Sequence, residues 1–255
     1  MSHPVTIGKQ GFFATLRKDT WWVEPALVAG ILTLFGIYST VSAVLLQTKF
    51  EVGPYLSPFY EPLLKPSWWP FSPAILILWA PLGFRATCYY YRGAYYKAFF
   101  ANPPACSVTG YTNKNFRGES KFPFTIMNLH RFFLIFALAL NVFLWIGAFK
   151  SFRYEGEWGV GLGSIVLTVN AFLLMMYSFS CHSLRHFVGG RLDCFSCART
   201  QKGAWDKVSS WNEGHKKWAW MSLFSVAIAD IYIRLVANGV ISDPNTWSVP
   251  LRVIH

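Results

Sequence analysis

The sequence predicts an all-α fold, an integral membrane bundle of five transmembrane helices. Of its 255 residues, 53% are hydrophobic and only 14% are charged. Five stretches hold about 20 mostly apolar residues each, the length that a helix needs to cross a hydrocarbon core of roughly 30 Å. The connecting segments are short, apart from two loops of about 30 residues. We therefore expect residues 1–255 to form a single transmembrane domain.

The five predicted spans follow in order along the chain. The polar segment before the first span lacks the short apolar region and small-residue cleavage site of a signal peptide, so the first helix is expected to be retained. In the fifth span Asp230 and Arg234 are four residues apart, and we expect them to neutralise one another on one helix face. The spans cover residues 25–47, 72–91, 124–149, 159–182 and 216–241.

The positive charges predict the orientation of the bundle. Most Lys and Arg residues lie in the N-terminal segment and in the two long loops, after the second and the fourth spans. The positive-inside rule therefore places the N-terminus and both loops in the cytoplasm, in a multi-pass protein of the bacterial cytoplasmic membrane. This topology accounts for the formal charge of +11, and no nucleic-acid-binding stripe is apparent. The positive loops are suited to an acidic soluble partner or to membrane lipids.

All five cysteines and four of the six histidines fall at the predicted cytoplasmic end. The second span reaches Cys88 in its last turn, and the third reaches His130 about 9 Å from its start, at 1.5 Å per residue. The fourth span ends at Cys181 and His182, and the fifth begins beside His215. Structural disulfides are uncommon in a reducing compartment, so these thiols are either apolar fillers or ligands. Their concentration beside histidines favours a metal site.

The densest group of candidate ligands lies after the fourth span. If its helix continues, the i, i+4 spacing puts His182 and His186 on one face, able to hold one metal or cofactor. Cys194 and Cys197 form a Cys-x-x-Cys pair whose spacing suits a shared iron or zinc. A haem b would need two imidazoles from facing helices, and the outer halves of the spans contain no histidine for a second haem. A Rieske-type 2Fe-2S cluster, with two thiolates and two imidazoles, fits this layer better; zinc would accept the same ligands without a redox role.

Over nearly its whole length the chain resembles the membrane-anchor subunit of the actinobacterial, type F succinate dehydrogenase, or respiratory complex II. The resemblance implies five helices and a haem-free anchor with a Rieske-type 2Fe-2S cluster within the membrane. It also implies assembly with a flavoprotein subunit and an iron–sulfur subunit into a succinate:quinone oxidoreductase. The matching fragments are Thr87-Cys88-Tyr89-Tyr90-Tyr91-Arg92, Asn128-Leu129-His130-Arg131, Ser180-Cys181-His182-Ser183 with Arg185-His186 and Gly189-Gly190, and His215 ahead of Trp218-Ala219-Trp220.

The resemblance implies an electron relay from the iron–sulfur subunit through the cluster to a quinone, either menaquinone or ubiquinone. The chain alone is not expected to oxidise succinate. This sequence has Leu184 where mycobacterial members have a second cysteine, so position 184 cannot supply a ligand here. The expected cluster ligands are Cys88 and Cys181, with Cys106 in reserve, then His182 and His215, followed by His186 or His130.

A quinone needs an apolar slot with aromatic walls and a few hydrogen-bond donors. Near the inner boundary the candidates are His130, Arg131, Tyr89 and Trp218. Arg131 is an ionisable group inside a predicted span, a position that is functional by default. Two alternatives stay open at this stage: a di-haem cytochrome b anchor of complex II, and a small metal permease. A permease would usually show paired repeats or broken helices, and neither is visible in the sequence.

Overall fold

The computed structural model describes residues 17, 19–108 and 112–251. Within these residues the chain is mainly helical. Four short strands form two antiparallel hairpins, in which β1 (Glu51–Val52) pairs with β2 (Tyr55–Leu56) and β3 (Arg153–Tyr154) pairs with β4 (Glu157–Trp158). The helices are α1 (Val23–Thr40), α2 (Ile75–Thr87), α3 (Tyr89–Phe100), α4 (His130–Lys150), α5 (Leu162–Phe179), α6 (His182–Gly189), α7 (Arg199–Glu213) and α8 (His215–Ala237).

By length and composition, four helical segments in the described part of the chain can cross a membrane. They correspond to the first, third, fourth and fifth predicted spans. Their large apolar side chains face outward, as a hydrocarbon solvent requires: Leu34, Ile135 and Ile228 are 68%, 63% and 59% exposed. The segments are Val23–Leu45, Phe124–Lys150, Leu162–Phe179 and His215–Ala237.

The predicted count of five spans is not confirmed, because the second one is interrupted. Helix α2 has 13 residues, about 20 Å at 1.5 Å per residue, which is shorter than a hydrocarbon core. At Cys88 the backbone becomes extended, with φ −61° and ψ 130°, before α3 begins. Helix α3 carries Tyr, Arg and Lys side chains and is much less apolar than α2.

The chain divides into two compact units, residues 1–36 with 87–128 and residues 37–86 with 129–255. The described part of the first unit is built around α3. Tyr96 packs its ring edge-on against Phe100, Phe116 and Phe124. Burial, followed by the nearby Glu119 carboxylate, raises the pKa of Tyr96 to about 12. The expectation of a single transmembrane domain stays a prediction.

The second unit contains the main helical core, in which α5 packs between α4 and α8. Small side chains let these helices approach closely, as in other membrane bundles. Ala148 of α4, Ala171 of α5 and Ala237 of α8 are all at most 2% exposed. Near the C-terminal ends of α4 and α8, the rings of Tyr55 and Trp247 lie 6.2 Å apart and close the core.

Asp230 of α8 is fully buried and accepts hydrogen bonds from four side chains. Tyr38 donates at 2.5 Å, Arg234 Nε donates at 3.0 Å, and the hydroxyls of Ser42 and Ser57 also donate. The predicted pairing of Asp230 with Arg234 is therefore confirmed. Because both charges lie within the membrane-spanning region, each depends on the other and on these hydroxyls for its stability.

Arg234 also satisfies the backbone where the first span ends. The segment Val41–Leu45 is a π-helical turn, and a helix end leaves carbonyl groups without intrahelical donors. The Arg234 guanidinium donates to the carbonyls of Ser42 at 2.6 Å, Leu46 at 3.2 Å and Thr48 at 2.8 Å. One side chain of α8 therefore holds both the end of the first span and Asp230.

Replacing Asp230 by Asn should strongly destabilise the protein, because the Arg234 charge would remain buried without its counter-ion. Breaking a buried ion pair from one side costs about 3–5 kcal/mol. As a control, Glu51→Gln breaks the exposed 3.8 Å pair with Lys65, which should cost less than about 1 kcal/mol. Thermal unfolding of the purified protein in detergent measures both losses of stability. Equal melting temperatures for D230N and E51Q would contradict the assigned role.

Candidate metal centre at the helix ends

Cys88 and Cys181 occupy the same kind of position in the fold. Each is the N-cap residue of a short helix, α3 and α6, and each has an extended backbone that interrupts the longer helical path. Both are reduced thiols outside the disulfide, and both are buried, at 2% and 1% exposed. The positive end of the helix dipole stabilises a negative charge at such a position. Both cysteines therefore lie at helix ends whose dipole suits an anionic ligand.

His130, the first residue of α4, lies against Cys181. Its Nε2 atom is 3.1 Å from the Cys181 sulfur. The imidazole is fixed on its face by Phe84 of α2, with parallel ring planes and centroids 4.7 Å apart. The sequence favours His130 for the quinone site and places it last among the metal ligands. The structure places it in direct contact with a predicted thiolate ligand, and its role at a quinone site stays a prediction.

His215, the first residue of α8, is buried near the same helix break. Its Nδ1 atom lies 2.8 Å from the hydroxyl of Ser180, the residue before Cys181. The Ser180 carbonyl in turn accepts a hydrogen bond from the Asn212 side chain at 2.7 Å. Histidine ligands usually have one ring nitrogen fixed by a second group in this way. Ser180 supplies that restraint for His215.

Two aromatic side chains connect the histidines within the second unit. Tyr177 stacks on His215 with centroids 5.1 Å apart, and Phe84 packs edge-on against Tyr177 at 5.3 Å. With Phe84 stacked on His130, four rings form a continuous series. Neither aromatic was predicted from the sequence. A signal was present, because Phe84 lies four residues before Cys88 and Tyr177 four residues before Cys181, one helical turn away.

Arg85 brings a positive charge to this region. Its guanidinium lies over the Tyr177 ring, 4.7 Å from the centroid. It donates to the Ala219 carbonyl at 3.2 Å and to the Ser222 hydroxyl at 2.9 Å. These contacts hold a partly buried cation beside the ring series, where it favours negative charge on nearby ligands.

The remaining predicted metal ligands lie in less protected positions. Helix α6 does run through His182 and His186, which satisfies the condition for the i, i+4 pairing, but both side chains are exposed. The His186 ring lies next to Gly190, where an added Cβ would meet Nδ1 at 2.3 Å. Cys106 is exposed in the loop after α3, and its carbonyl accepts a 2.9 Å hydrogen bond from Arg17.

Cys194 and Cys197 form a disulfide, so the pair is not a dithiol ligand in this structure. The turn between them brings their Cα atoms to 5.4 Å, within the usual range for a disulfide. The sequence predicts free thiols on this side of the membrane, and the short turn instead provides the geometry for a disulfide.

The predicted quinone-binding residues lie on different elements. Tyr89 begins α3 and is 74% exposed, with the Arg92 guanidinium 5.0 Å from its ring centroid. Arg131 is exposed in the first turn of α4. Trp218, in the first turn of α8, packs edge-on against Phe172 at 6.4 Å. Their grouping as a quinone site stays a prediction.

The residues at these helix ends fit a Rieske-type cluster in ligand chemistry. Among the described residues, no three His, Cys, Asp or Glu side chains lie together as a preformed metal site. Within the second unit, one buried thiol at a helix N-terminus and two imidazoles at helix starts are nevertheless ligand types that such a cluster requires. Cys88 belongs to the first unit, and its role as a ligand stays a prediction. The contact between His130 and Cys181 brings one of each type together.

Two comparisons with known proteins give a match. The family model described as actinobacterial succinate dehydrogenase subunit SdhC matches residues 23–239. A chain in the solved structure of the Mycobacterium smegmatis Sdh1 complex in the apo form is 35% identical in sequence, and the two structures superpose with a TM-score of 0.83. That match covers 96% of this chain and 100% of the other. A search of curated proteins gives no match.

The three classes of cysteine predict a distinct order of alkylation. In the purified native complex, the exposed Cys106 should react fully with a maleimide, whereas the buried Cys88 and Cys181 should remain unmodified. Mild reduction should add reaction at Cys194 and Cys197. Peptide mass spectrometry measures each site, and a denatured reduced sample, in which all five react, is the control. Rapid labelling of Cys181 in the native complex would contradict its burial.

Proposed function

Because the chain belongs to the family of actinobacterial succinate dehydrogenase subunit SdhC, we propose that it passes electrons from an iron–sulfur subunit to a quinone. It is a membrane subunit of the succinate dehydrogenase complex, and its apolar helices anchor the complex in the membrane. The observation that carries the proposal is the contact between the His130 imidazole and the buried Cys181 thiol.

The proposed cofactor is a Rieske-type 2Fe-2S cluster with His130, His215 and Cys181 as ligands. Cys88 is proposed as the second thiolate because it is the other buried thiol. When bound, such a cluster supplies one-electron transfer. Burial decides between the histidines, because the shell around a metal site controls solvent access and hence its redox chemistry. His130 is packed against Phe84 and His215 is 9% exposed. These two therefore rank above the more exposed histidines of α6.

The surrounding side chains would orient and shield these ligands. Ser180 fixes the ring of His215 through Nδ1, and Phe84 fixes the plane of His130. Phe84 and Tyr177, each 2% exposed, exclude water from the imidazoles. Arg85, held over Tyr177, supplies positive charge that offsets the negative charge of thiolate ligands.

The partners proposed for this chain are the flavoprotein and iron–sulfur subunits of complex II. The loops and short helices before α4 and α8 carry most of the positive charge of the described chain. Phe187 of α6 is 83% exposed among these charges, as expected for a residue that a partner covers. Arg131, Tyr89 and Trp218 remain the proposed contacts for a quinone headgroup.

Replacing Cys181 by Ser or His215 by Ala should remove the cluster and lower quinone reduction at least about a hundredfold, because transfer then lacks an intermediate carrier. The purified complex would be reduced with dithionite and examined by low-temperature electron paramagnetic resonance, with iron and acid-labile sulfide measured on the same sample. Loss of the histidine-ligated signal and of two iron atoms per complex is the expected result.

His186→Ala is the matched control, because its exposed imidazole lies outside the proposed ligand set. It should retain the signal, the iron content and quinone reduction. Succinate oxidation with a soluble dye should be unchanged in all variants, which separates cluster loss from misassembly. A metal-replete wild-type complex without the signal, or one with the Soret band of haem b, would overturn the proposal.

A further inference from the structure

A cavity of about 460 Å³ lies at the far end of α4, away from His130. Its apolar wall includes Phe143 and Ile146 of α4 and Leu167 of α5. Phe143 is thirteen residues after His130, which is about 20 Å along the helix at 1.5 Å per residue. The proposed electron-transfer site and this cavity are therefore separated by most of the membrane.

The floor of the cavity contains a polar group whose partner is missing. Asn170 of α5 lines the cavity and is 1% exposed. Its carbonyl oxygen accepts a hydrogen bond from Ser225 at 2.9 Å, but its amide nitrogen has no partner among the described residues. A buried donor without an acceptor costs about 1–3 kcal/mol. An occupant with an acceptor oxygen would remove that cost.

Glu61 supplies a second polar group, and a glycine in α4 leaves space for its carboxyl. At Gly147 an added Cβ would lie 2.7 Å from the Glu61 carboxyl oxygen, so the absence of a side chain makes room for this carboxyl. Burial raises the pKa of Glu61, and the nearby charge of Lys150 opposes this rise. Lys150, the last residue of α4, is exposed at the cavity rim.

These groups are the kinds that the parts of a glycerophospholipid require. A cation at the rim suits a phosphate, the Asn170 amide suits an ester oxygen, and the apolar wall suits an acyl chain. We propose that this cavity binds one glycerophospholipid, with its phosphate at Lys150, an ester carbonyl at Asn170 and its chain along Phe143 and Ile146. A quinone taking electrons here is disfavoured, because tunnelling falls steeply over the separation from His130.

The test is native mass spectrometry of the complete complex released from detergent micelles. The wild-type complex should retain one phospholipid mass per copy of this chain. Asn170→Leu and Lys150→Gln should each weaken the affinity for the lipid about tenfold and so lower the retained fraction, the effect of losing a hydrogen bond or charge contact worth about 1.4 kcal/mol. Ser225 can still donate to the Ser222 carbonyl in the Asn170 variant, which limits its structural effect.

Lys65→Gln is the matched control. Lys65 is an exposed cation that pairs with Glu51 rather than lining the cavity, so its replacement should leave lipid occupancy unchanged. Equal occupancy in all variants, the absence of any retained lipid, or retention of a quinone in its place would overturn the proposal. The iron content and the resonance signal are expected to stay at wild-type levels throughout, so failure here is distinguishable from failure of the cluster assignment.

Discussion

Every polar group that this chain buries within its membrane-spanning region must find its partner in the chain itself, because hydrocarbon offers none. The Asp230 network meets this requirement. One carboxylate takes donors from the end of the first span, from the turn after β2 and from its own helix. In the π-helical turn at the end of the first span, the Ser42 carbonyl accepts from Arg234. Removing one charge would leave several groups unsatisfied together.

The same constraint applies to the two helix breaks, at Cys88 and Cys181. A break at Cys88 or Cys181 exposes amide groups at the start of the next helix, which is costly in a membrane protein. At Cys181 the sulfur itself accepts from the Ser183 amide at 3.3 Å, and Asn212 satisfies the Ser180 carbonyl. Broken helices within membrane proteins often form a functional site. Here each break leaves a buried thiol next to a helix N-terminus.

The aromatic side chains complete this arrangement. Phe84 and Tyr177 lie one turn before the two breaks and connect His130 with His215 through stacked and edge-on rings. They keep water away and restrict both imidazoles, while Arg85 supplies a fixed positive charge nearby. At the other end of α4, the structure instead leaves an amide of Asn170 unsatisfied beside a cavity.

Hydropathy and residue type are local properties, so they were enough to predict the helical membrane fold and the concentration of Cys and His at one end. The family came from the resemblance of short motifs around these residues. The Asp230–Arg234 pair was equally predictable, because it needs only a four-residue spacing on one helix. The break at Cys88, the contact of His130 with Cys181 and the exposure of His182 and His186 came from the folded chain. Depth along a helix does not specify which face a side chain occupies. That choice depends on packing between helices distant in sequence, as when Ser180 meets His215 and Phe84 meets His130.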